Sequence, residues 1–296
     1  MRSSCLFAVL LAVFSGCGAS SSDDHGGVGG AGGAGGVLPQ SGICGGSFRV
    51  SSGADDLAAV AQCTSITGDL SISAFPSTTF SLPILESVGG KIEITFNNTL
   101  VEATFPALKT VSGDLMIFQN DALTSLLCPV LESVGGSESV GGMLHNLEIY
   151  SNTTLVNLGL PMLASVGGYF KIKDSALTSL DLSTLAIAGS FEFSKDVALT
   201  RLTLPVLASA GLKVDGDNVL TSLTLPVLAT ADSIEISGNA ALTTLSLPVL
   251  KKVTFGFTIT NNPALPTCQA QAVQSQMLAA PSKTDLTNNN DMGTCP

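Results

Sequence analysis

The chain has 296 residues, of which 45% are hydrophobic, 12% are charged and 5% are aromatic. Its 23 acidic and 12 basic residues give a formal net charge of −11, which argues against nucleic-acid binding because that function needs clustered Lys and Arg. Disordered chains are poor in apolar residues and this chain is rich in them, while two histidines and few aromatic residues leave little material for an active site.

The N-terminal segment has the pattern of an export signal. Arg2 provides a positive start, and residues 6–14 form a nine-residue apolar run that is too short to span a bilayer. The run ends in Phe14-Ser15-Gly16-Cys17, which resembles the bacterial lipobox, although that motif prefers Leu where Phe14 stands. We expect a lipoprotein signal peptide over 1–16 and lipidation at Cys17. The alternative is ordinary signal cleavage that leaves Cys17 unmodified.

The lipobox resemblance also implies a location. In enterobacterial sorting, an Asp after the lipidated Cys directs the protein to the inner membrane, and this chain has Gly18 there. We therefore expect a lipid-anchored protein of the bacterial cell envelope, in the outer membrane. Residues 17–43 contain a Gly-rich run at 26–36 and are expected to form a flexible tether. A phosphate-binding loop is excluded because no strand precedes the run and no Lys-Ser/Thr follows it.

The remaining residues, 44–296, carry a repeat with a period near 22 residues, which predicts a solenoid. Prolines mark one position of the repeat at spacings of 23, 23, 32, 44, 21 and 22 residues. The spacing of 44 holds two repeats, with Ser183 in place of the middle proline. The spacing of 32 holds an insertion within 135–147. The prolines are Pro83, Pro106, Pro129, Pro161, Pro205, Pro226 and Pro248.

Apolar residues recur at two positions, two residues apart, in nine consecutive repeats. The later position holds Ile72, Ile94, Ile117, Ile149, Ile172, Phe193, Val214, Ile236 and Ile259. The earlier position holds Leu70, Ile92, Leu115, Leu147, Phe170, Phe191, Leu212, Ile234 and Phe257. The residues between them are mostly polar, so this alternation predicts one half-buried strand per repeat.

A polar column follows the later apolar position by three residues. It consists of Asn97, Asn120, Asn152, Ser175, Asp196, Asp217, Asn239 and Asn262. Stacked turns suit Asn and Asp, because their side chains can bond the backbone of the neighbouring coil and their own backbones tolerate left-handed geometry.

Two further leucine-rich columns lie just before each proline and two residues after it, and they predict a second buried face. No single coil can bury these faces alone, so the coils must stack. We predict a mainly β fold, a right-handed parallel β-helix or leucine-rich-like solenoid of about nine coils. The right-handed winding follows from the usual chirality of parallel crossovers. Residues 269–280 predict a short C-terminal capping helix.

The repeats resemble leucine-rich repeats, and they are most similar to the receptor L domain, a leucine-rich-like β-helix. Residues 63–72 follow that family's C-x-x-I-x-G-x-L-x-I opening, and the similarity extends over about 44–265. The chain departs from the family in having more coils and no Cys-rich domain after them. Ligand binding is therefore implied only as an analogy of fold.

Five cysteines remain outside the signal peptide and the lipidation candidate. Cys44 and Cys63 flank the first coil, which suits a disulfide in the N-terminal cap and resembles the L-domain family. Cys268 and Cys295 bracket the C-terminal end. Sequence alone does not fix the connectivity, although a solenoid would place these pairs at opposite ends. Cys128 occupies an inward leucine position, which favours a buried free thiol over a reactive nucleophile.

Two outward columns flank the later apolar position. In the column before it, charges alternate in sign from Glu148 to Glu235, which predicts a solvated, self-paired face. In the column after it, Phe118 and Tyr150 are adjacent, with Met116 nearby. Exposed aromatic residues mark binding surfaces, so Met116, Phe118 and Tyr150 form the candidate binding site. The alternative is that the 135–147 insertion, which contains His145, folds over these rings.

Four acidic residues lie on successive coils: Asp174, Asp196, Asp215 and Asp217. A β-helix can bind calcium through such acids, but they lack the spacing of calcium-loaded solenoids, so turn residues that bond the backbone are the favoured interpretation. The sequence contains no zinc-binding spacing, nucleophile elbow or phosphate loop.

These patterns favour a binding protein over an enzyme, with no catalytic residue, metal or other cofactor expected. The expected partner is a protein or a glycan bound on one strand face, and the expected membrane contact is the N-terminal lipid alone. Two other hypotheses stay open. One is a polysaccharide-active β-helix that uses the acids at 174–217, and the other is a passive structural protein of the envelope.

Overall fold

The computed structural model describes residues 42–51, 54–136, 144–195 and 198–295. These residues form a mainly β structure, a parallel β-solenoid of about nine turns with a short helix near the C-terminus, as predicted. The signal peptide, Cys17 and the tether up to residue 41 lie outside the described residues, and so does Asp196.

The described chain contains 25 strands and two helices. The N-terminal elements are β1 (Ile43–Cys44), β2 (Phe48–Val50), α1 (Ala54–Val60), β3 (Ser65–Ile66), β4 (Leu70–Ser73), β5 (Thr79–Ser81), β6 (Ser87–Val88), β7 (Ile92–Thr95), β8 (Glu102–Thr104), β9 (Thr110–Val111), β10 (Leu115–Phe118), β11 (Ser125–Leu127) and β12 (Ser133–Val134). The C-terminal elements are β13 (Leu147–Asn152), β14 (Asn157–Gly159), β15 (Ser165–Ser175), β16 (Ile187–Ser194), β17 (Arg201–Thr203), β18 (Ser209–Asp215), β19 (Ser222–Thr224), β20 (Thr230–Ala231), β21 (Ile234–Ser237), β22 (Thr244–Ser246), β23 (Lys252–Val253), β24 (Gly256–Thr260), α2 (Thr267–Ser275) and β25 (Lys283–Asp285).

A typical coil contains three short strands, and each pairs in parallel with its equivalent in the next coil. We call the central series the front ladder; it consists of β2, β4, β7, β10, β13, β15, β16, β18, β21, β24 and β25. A side ladder precedes it in each coil and joins it through the long strands β15, β16 and β18. The third strands form a four-stranded sheet, β5-β8-β11-β14, and a three-stranded sheet, β17-β19-β22.

The apolar columns form one continuous core, as the repeat predicts. In the front ladder Ile117 pairs with Ile94 on one side and with Ile149 on the other, and all three are fully buried. The leucine columns around the prolines are buried as well, among them Leu131 and Leu163. Cys128 is a buried free thiol in this core.

The polar column forms a ladder of buried side chains that links successive coils, and we call it the asparagine ladder. Asn97 donates from Nδ2 to the carbonyl oxygen of Ile72 at 3.0 Å, and its backbone N–H donates to Oδ1 of Asn120 at 3.1 Å. Asn120 repeats the pattern with Ile94 and Asn152. Since the ladder residues are fully buried, these bonds satisfy backbone groups that water cannot reach.

The left-handed backbone positions lie one residue before this ladder. Positive φ values recur at Ala74, Phe96, Gln119, Ser151, Asp174, Lys195, Gly216, Gly238, Asn261 and Asn288. The asparagine side chains of the ladder accept the N–H of the preceding coil, and the residue before each ladder position makes the turn.

A disulfide closes each end of the solenoid, as the cysteine positions suggested. Cys44 is bonded to Cys63 and Cys268 to Cys295, with Cα–Cα distances of 5.7 and 6.1 Å. Helix α1 lies within the first disulfide loop, and the sequence analysis did not anticipate it.

The C-terminal cap combines a helix with one further strand. Helix α2 covers Thr267–Ser275, so it begins two residues before the predicted 269–280 segment and ends five residues earlier. It ends there because the next residues bond the last coil: the Gln276 side chain donates to the carbonyl oxygen of Leu247, and the Leu278 N–H donates to that of Lys251. Strand β25 then pairs with β24 and extends the front ladder beyond the predicted repeats.

Candidate ligand-binding surface

The front ladder places the three predicted site residues together. Phe118 lies opposite Tyr150 in the register of β10 and β13, and Met116 lies opposite Glu148 two residues earlier. All three side chains are half-buried on the outward face, alternating with the fully buried Leu115, Ile117 and Ile149. The predicted adjacency is therefore confirmed, while the binding role stays a prediction.

A third ring joins this pair, and we call Phe96, Phe118 and Tyr150 the ring cluster. Phe118 and Tyr150 stack with centroids 5.1 Å apart and planes inclined by 2°. Phe96 meets Phe118 edge to face, with centroids 5.4 Å apart and an interplanar angle of 79°. The cluster thus spans three consecutive coils of the front ladder.

Phe96 was missed in the sequence because it lies one residue beyond the outward column. It follows Thr95, which occupies that column, and it lies at the left-handed turn with a φ of 56°. Its side chain is 53% exposed. The residue types at this turn vary from Gly216 and Gly238 to Gln119 and Lys195, so no sequence pattern marks the turn or the outward direction of Phe96.

Two carboxylates flank the ring cluster. Glu93 and Glu148 are the register neighbours of Met116 on either side. Partial burial and then the negative charges of Glu148 and Glu93 raise the pKa of the Tyr150 hydroxyl. The phenol therefore stays protonated at neutral pH and can donate a hydrogen bond to a ligand.

The charged column is partly self-paired, as predicted. Lys171 lies 3.6 Å from Glu192, and Lys213 lies 3.2 Å from Glu235. Closer to the rings, Lys91 lies 3.2 Å from Glu93. Such exposed pairs contribute little to stability, but they neutralise the charge of this face coil by coil.

The described end of the insertion lies before strand β13 rather than beside Tyr150. His145 Nδ1 lies 3.7 Å from Asp114 Oδ1, and Leu144 is exposed. Residues 137–143 lie outside the described residues, so the alternative that the insertion covers the rings stays a prediction.

The described members of the acidic group make local contacts. Asp174 lies 4.0 Å from the Lys173 ammonium, and Asp215 accepts a hydrogen bond from the Ser237 hydroxyl at 2.6 Å. Asp217 is buried in the asparagine ladder, where its N–H donates to Asn239. Among the described residues, no group of three or more His, Cys, Asp or Glu is placed to hold a metal ion.

A groove of about 350 Å³ lies near the start of the front strands β15, β16, β18 and β21. Glycines on three consecutive coils, Gly168, Gly189 and Gly211, line it together with Tyr169 and Asp232. Tyr169 is 53% exposed, so it is an aromatic residue outside the ring cluster with which the cluster can be compared. The sequence analysis did not single it out.

Comparison of the chain with protein-family models, curated proteins and solved structures gives no match. Neither of the two described helices is long and apolar enough to cross a membrane. The solenoid and the ring cluster therefore provide the basis for the functional argument.

Proposed function

We propose that this chain is a lipid-anchored binding protein of the bacterial cell envelope, whose solenoid is of the receptor L-domain kind. The ring cluster on the front ladder binds a protein or a glycan, and the protein carries out no reaction on it. The single observation on which the proposal depends is the exposure of Phe96, whose large ring packs against Phe118 on the surface and not in the core.

The position of Phe96 favours a role in binding over a role in folding. The left-handed turn at Phe96 recurs in the other coils, most of which also place a non-glycine residue there, so the turn itself belongs to the fold. The ring is 53% exposed, so it contributes little to the core. Exposed aromatic side chains that contact one another are typical of binding surfaces.

The sequence at Cys17 supports the anchor, and the two disulfides support a compartment outside the cytoplasm. Disulfides persist in oxidising environments such as the periplasm and the cell surface. A lipid on Cys17 followed by a Gly-rich tether would hold the solenoid at the membrane while leaving its front ladder accessible.

Capture of envelope components tests the proposal. The full-length protein is incubated with a solubilised cell-envelope extract and with a panel of purified glycans, and bound molecules are quantified. The double variant Phe118→Ser/Tyr150→Ser uses serine because Ser73 and Ser237 occupy this column in other coils. Tyr169→Ser is the matched control, since it removes an exposed tyrosine elsewhere.

We expect at least one molecule to be bound by the wild type and the control and to be lost from the double variant by about tenfold or more. If the double variant captures the same molecules as the wild type in the same amounts, the assignment of the ring cluster as the binding site is wrong.

A further inference from the structure

Glu148 is the glutamate of its column that forms no ion pair among the described residues. The other glutamates of the column each pair with a lysine: Glu93 with Lys91, Glu192 with Lys171 and Glu235 with Lys213. Lys171 is also the register neighbour of Glu148, but no Lys or Arg nitrogen in the described part of the chain lies within 4.0 Å of the Glu148 carboxylate. Its hydrogen-bond donor is the neutral amide of Asn146, at 3.3 Å.

Glu148 lies beside the ring cluster. It directly precedes the buried Ile149 in β13, two residues before Tyr150, and its register neighbour is Met116. The negative charges of Glu148 and Glu93 both raise the pKa of the Tyr150 hydroxyl, so both act at the edge of the ring cluster. The surface therefore combines flat rings, a flexible thioether and a carboxylate without an ion pair, with Lys171 and Lys173 on the next coil.

We infer that the ring cluster and Glu148 together bind an arginine side chain of a basic protein segment. The guanidinium stacks on an aromatic face, while its N–H groups donate to the Glu148 carboxylate. This inference rests on the proposed function, and it selects a protein partner over a glycan.

Charge complementarity selects arginine over the other ligands. A guanidinium is planar, always charged and weakly hydrated, so it can stack on a ring and pair with a carboxylate at the same time. A lysine ammonium can pair with Glu148 but cannot match the carboxylate in a bidentate fork. A neutral sugar can donate hydroxyl hydrogen bonds to the carboxylate but brings no positive charge to balance it, and an anion would be repelled. The net charge of −11 also steers a basic partner toward this protein.

The test uses peptides of defined chemistry and the full-length protein. An immobilised peptide in which arginines alternate with serines is compared with the same peptide containing citrulline, which keeps the shape and removes the charge. A lysine version and a neutral glucan complete the probe set, and binding is followed by biolayer interferometry. Glu148→Gln is compared with Glu235→Gln, because both remove one negative charge from the same column and only Glu148 adjoins the rings.

We expect the arginine peptide to bind, the lysine peptide to bind several-fold more weakly, and the citrulline peptide and the glucan not to bind. Glu148→Gln should weaken binding of the arginine peptide by about tenfold, because a charge-assisted hydrogen bond is lost, and Glu235→Gln by less than about twofold. Phe118→Ser/Tyr150→Ser should abolish binding, and Tyr169→Ser should leave it unchanged.

Three results would overturn the inference. The arginine peptide does not bind, it binds no better than the citrulline peptide, or the two Gln variants weaken binding equally, as general electrostatics would predict. The proposed function survives these results if Phe118→Ser/Tyr150→Ser still loses a captured envelope molecule. It fails separately if the double variant loses none.

Discussion

The energetic cost of the left-handed backbone at position 96 can be measured with two substitutions. Phe96→Ala and Phe96→Gly both remove the ring, but alanine keeps a Cβ at a φ of 56° and glycine does not. We expect Phe96→Gly to be more stable than Phe96→Ala by about 1 kcal/mol in urea unfolding, since alanine at positive φ is destabilising. Equal stabilities would contradict the left-handed backbone conformation at position 96.

Because of Cys128, we expect the free energy of unfolding to decrease at alkaline pH. Burial raises the pKa of its thiol from 9.0 to about 12. The folded state therefore holds the proton more tightly than the unfolded state. The stabilising contribution of the buried thiol is complete below pH 9. It is lost as the pH rises from 9 toward 12, by about 1.4 kcal/mol per pH unit.

The prediction for Cys128 is a difference between two proteins. Between pH 7 and 10.5, we expect the wild type to lose about 2 kcal/mol more stability than Cys128→Ala, measured by urea unfolding at each pH. Alanine cannot ionise, and the tyrosines and lysines are the same in both proteins. The difference between the two losses of stability therefore reports the Cys128 thiol. If both lose the same amount, the thiol is not shielded from water as the structure indicates.

Residue-scale prediction succeeded where periodicity applied. The alternation of buried and outward positions placed Phe118 beside Tyr150 from the sequence alone. Phe96 lies at a turn, where the period of two ends and the direction of a side chain depends on φ. The absence of an ion pair at Glu148 could be seen only in the structure. Lys171 lies between Glu148 and Glu192 and could have paired with either, and it pairs with Glu192.

At the scale of the element, the asparagine ladder holds the coils together through buried hydrogen bonds. Asn120→Ala removes the acceptor for the Asn97 N–H and the donor to the carbonyl oxygen of Ile94. Unsatisfied buried groups cost about 1–3 kcal/mol each, so we expect a loss of about 3 kcal/mol in the free energy of unfolding. Asn98→Ala, at an exposed position, is the matched control and should change stability by less than about 0.5 kcal/mol. A small loss for Asn120→Ala would show that water or the backbone replaces the ladder.

The strands could be predicted more fully than the caps. Nine of the eleven front strands carry the predicted pair of apolar positions, so an error in a single repeat did not matter. Strand β25 lies in a segment without the leucine columns, and only Asn289, which donates to the carbonyl oxygen of Ile259, continues the ladder there. Helix α1 has seven residues, too few for a helical period to stand out. Helix α2 was predicted too long because its end depends on contacts with the last coil.

At the scale of the whole molecule, the lipid anchor is the prediction that depends on the sequence alone. Cys17→Ser should move the protein from the membrane fraction to the soluble fraction and abolish labelling by a metabolic fatty-acid probe. Cys128→Ala should keep both properties, because its buried thiol is not a lipidation site. Fractionation and labelling that Cys17→Ser leaves unchanged would refute the anchor.

Fold class followed from the sequence because stacking is the solution that buries every apolar column of a short repeat. Partner chemistry did not follow, because it depends on a few side chains from different coils, such as Phe96, Phe118 and Glu148. Their grouping needed the register, the turn geometry and the ion pairs together.

The central claim is that the three rings serve a partner rather than the fold, and the free energy of unfolding tests it most directly. Phe170 and Phe191 provide the internal standard. They stack with centroids 5.1 Å apart, as Phe118 and Tyr150 do, but they are fully buried. Removal of a buried ring by Phe170→Ala should cost about 3–5 kcal/mol.

The measurement compares Phe170→Ala with the triple variant Phe96→Gly/Phe118→Ser/Tyr150→Ser by urea unfolding. We predict that the triple variant loses less than about 2 kcal/mol, because its rings contact each other mainly at the surface and glycine relieves the backbone at position 96. A loss as large as that of Phe170→Ala would mean that the ring cluster is part of the core, and it would contradict the proposed binding surface.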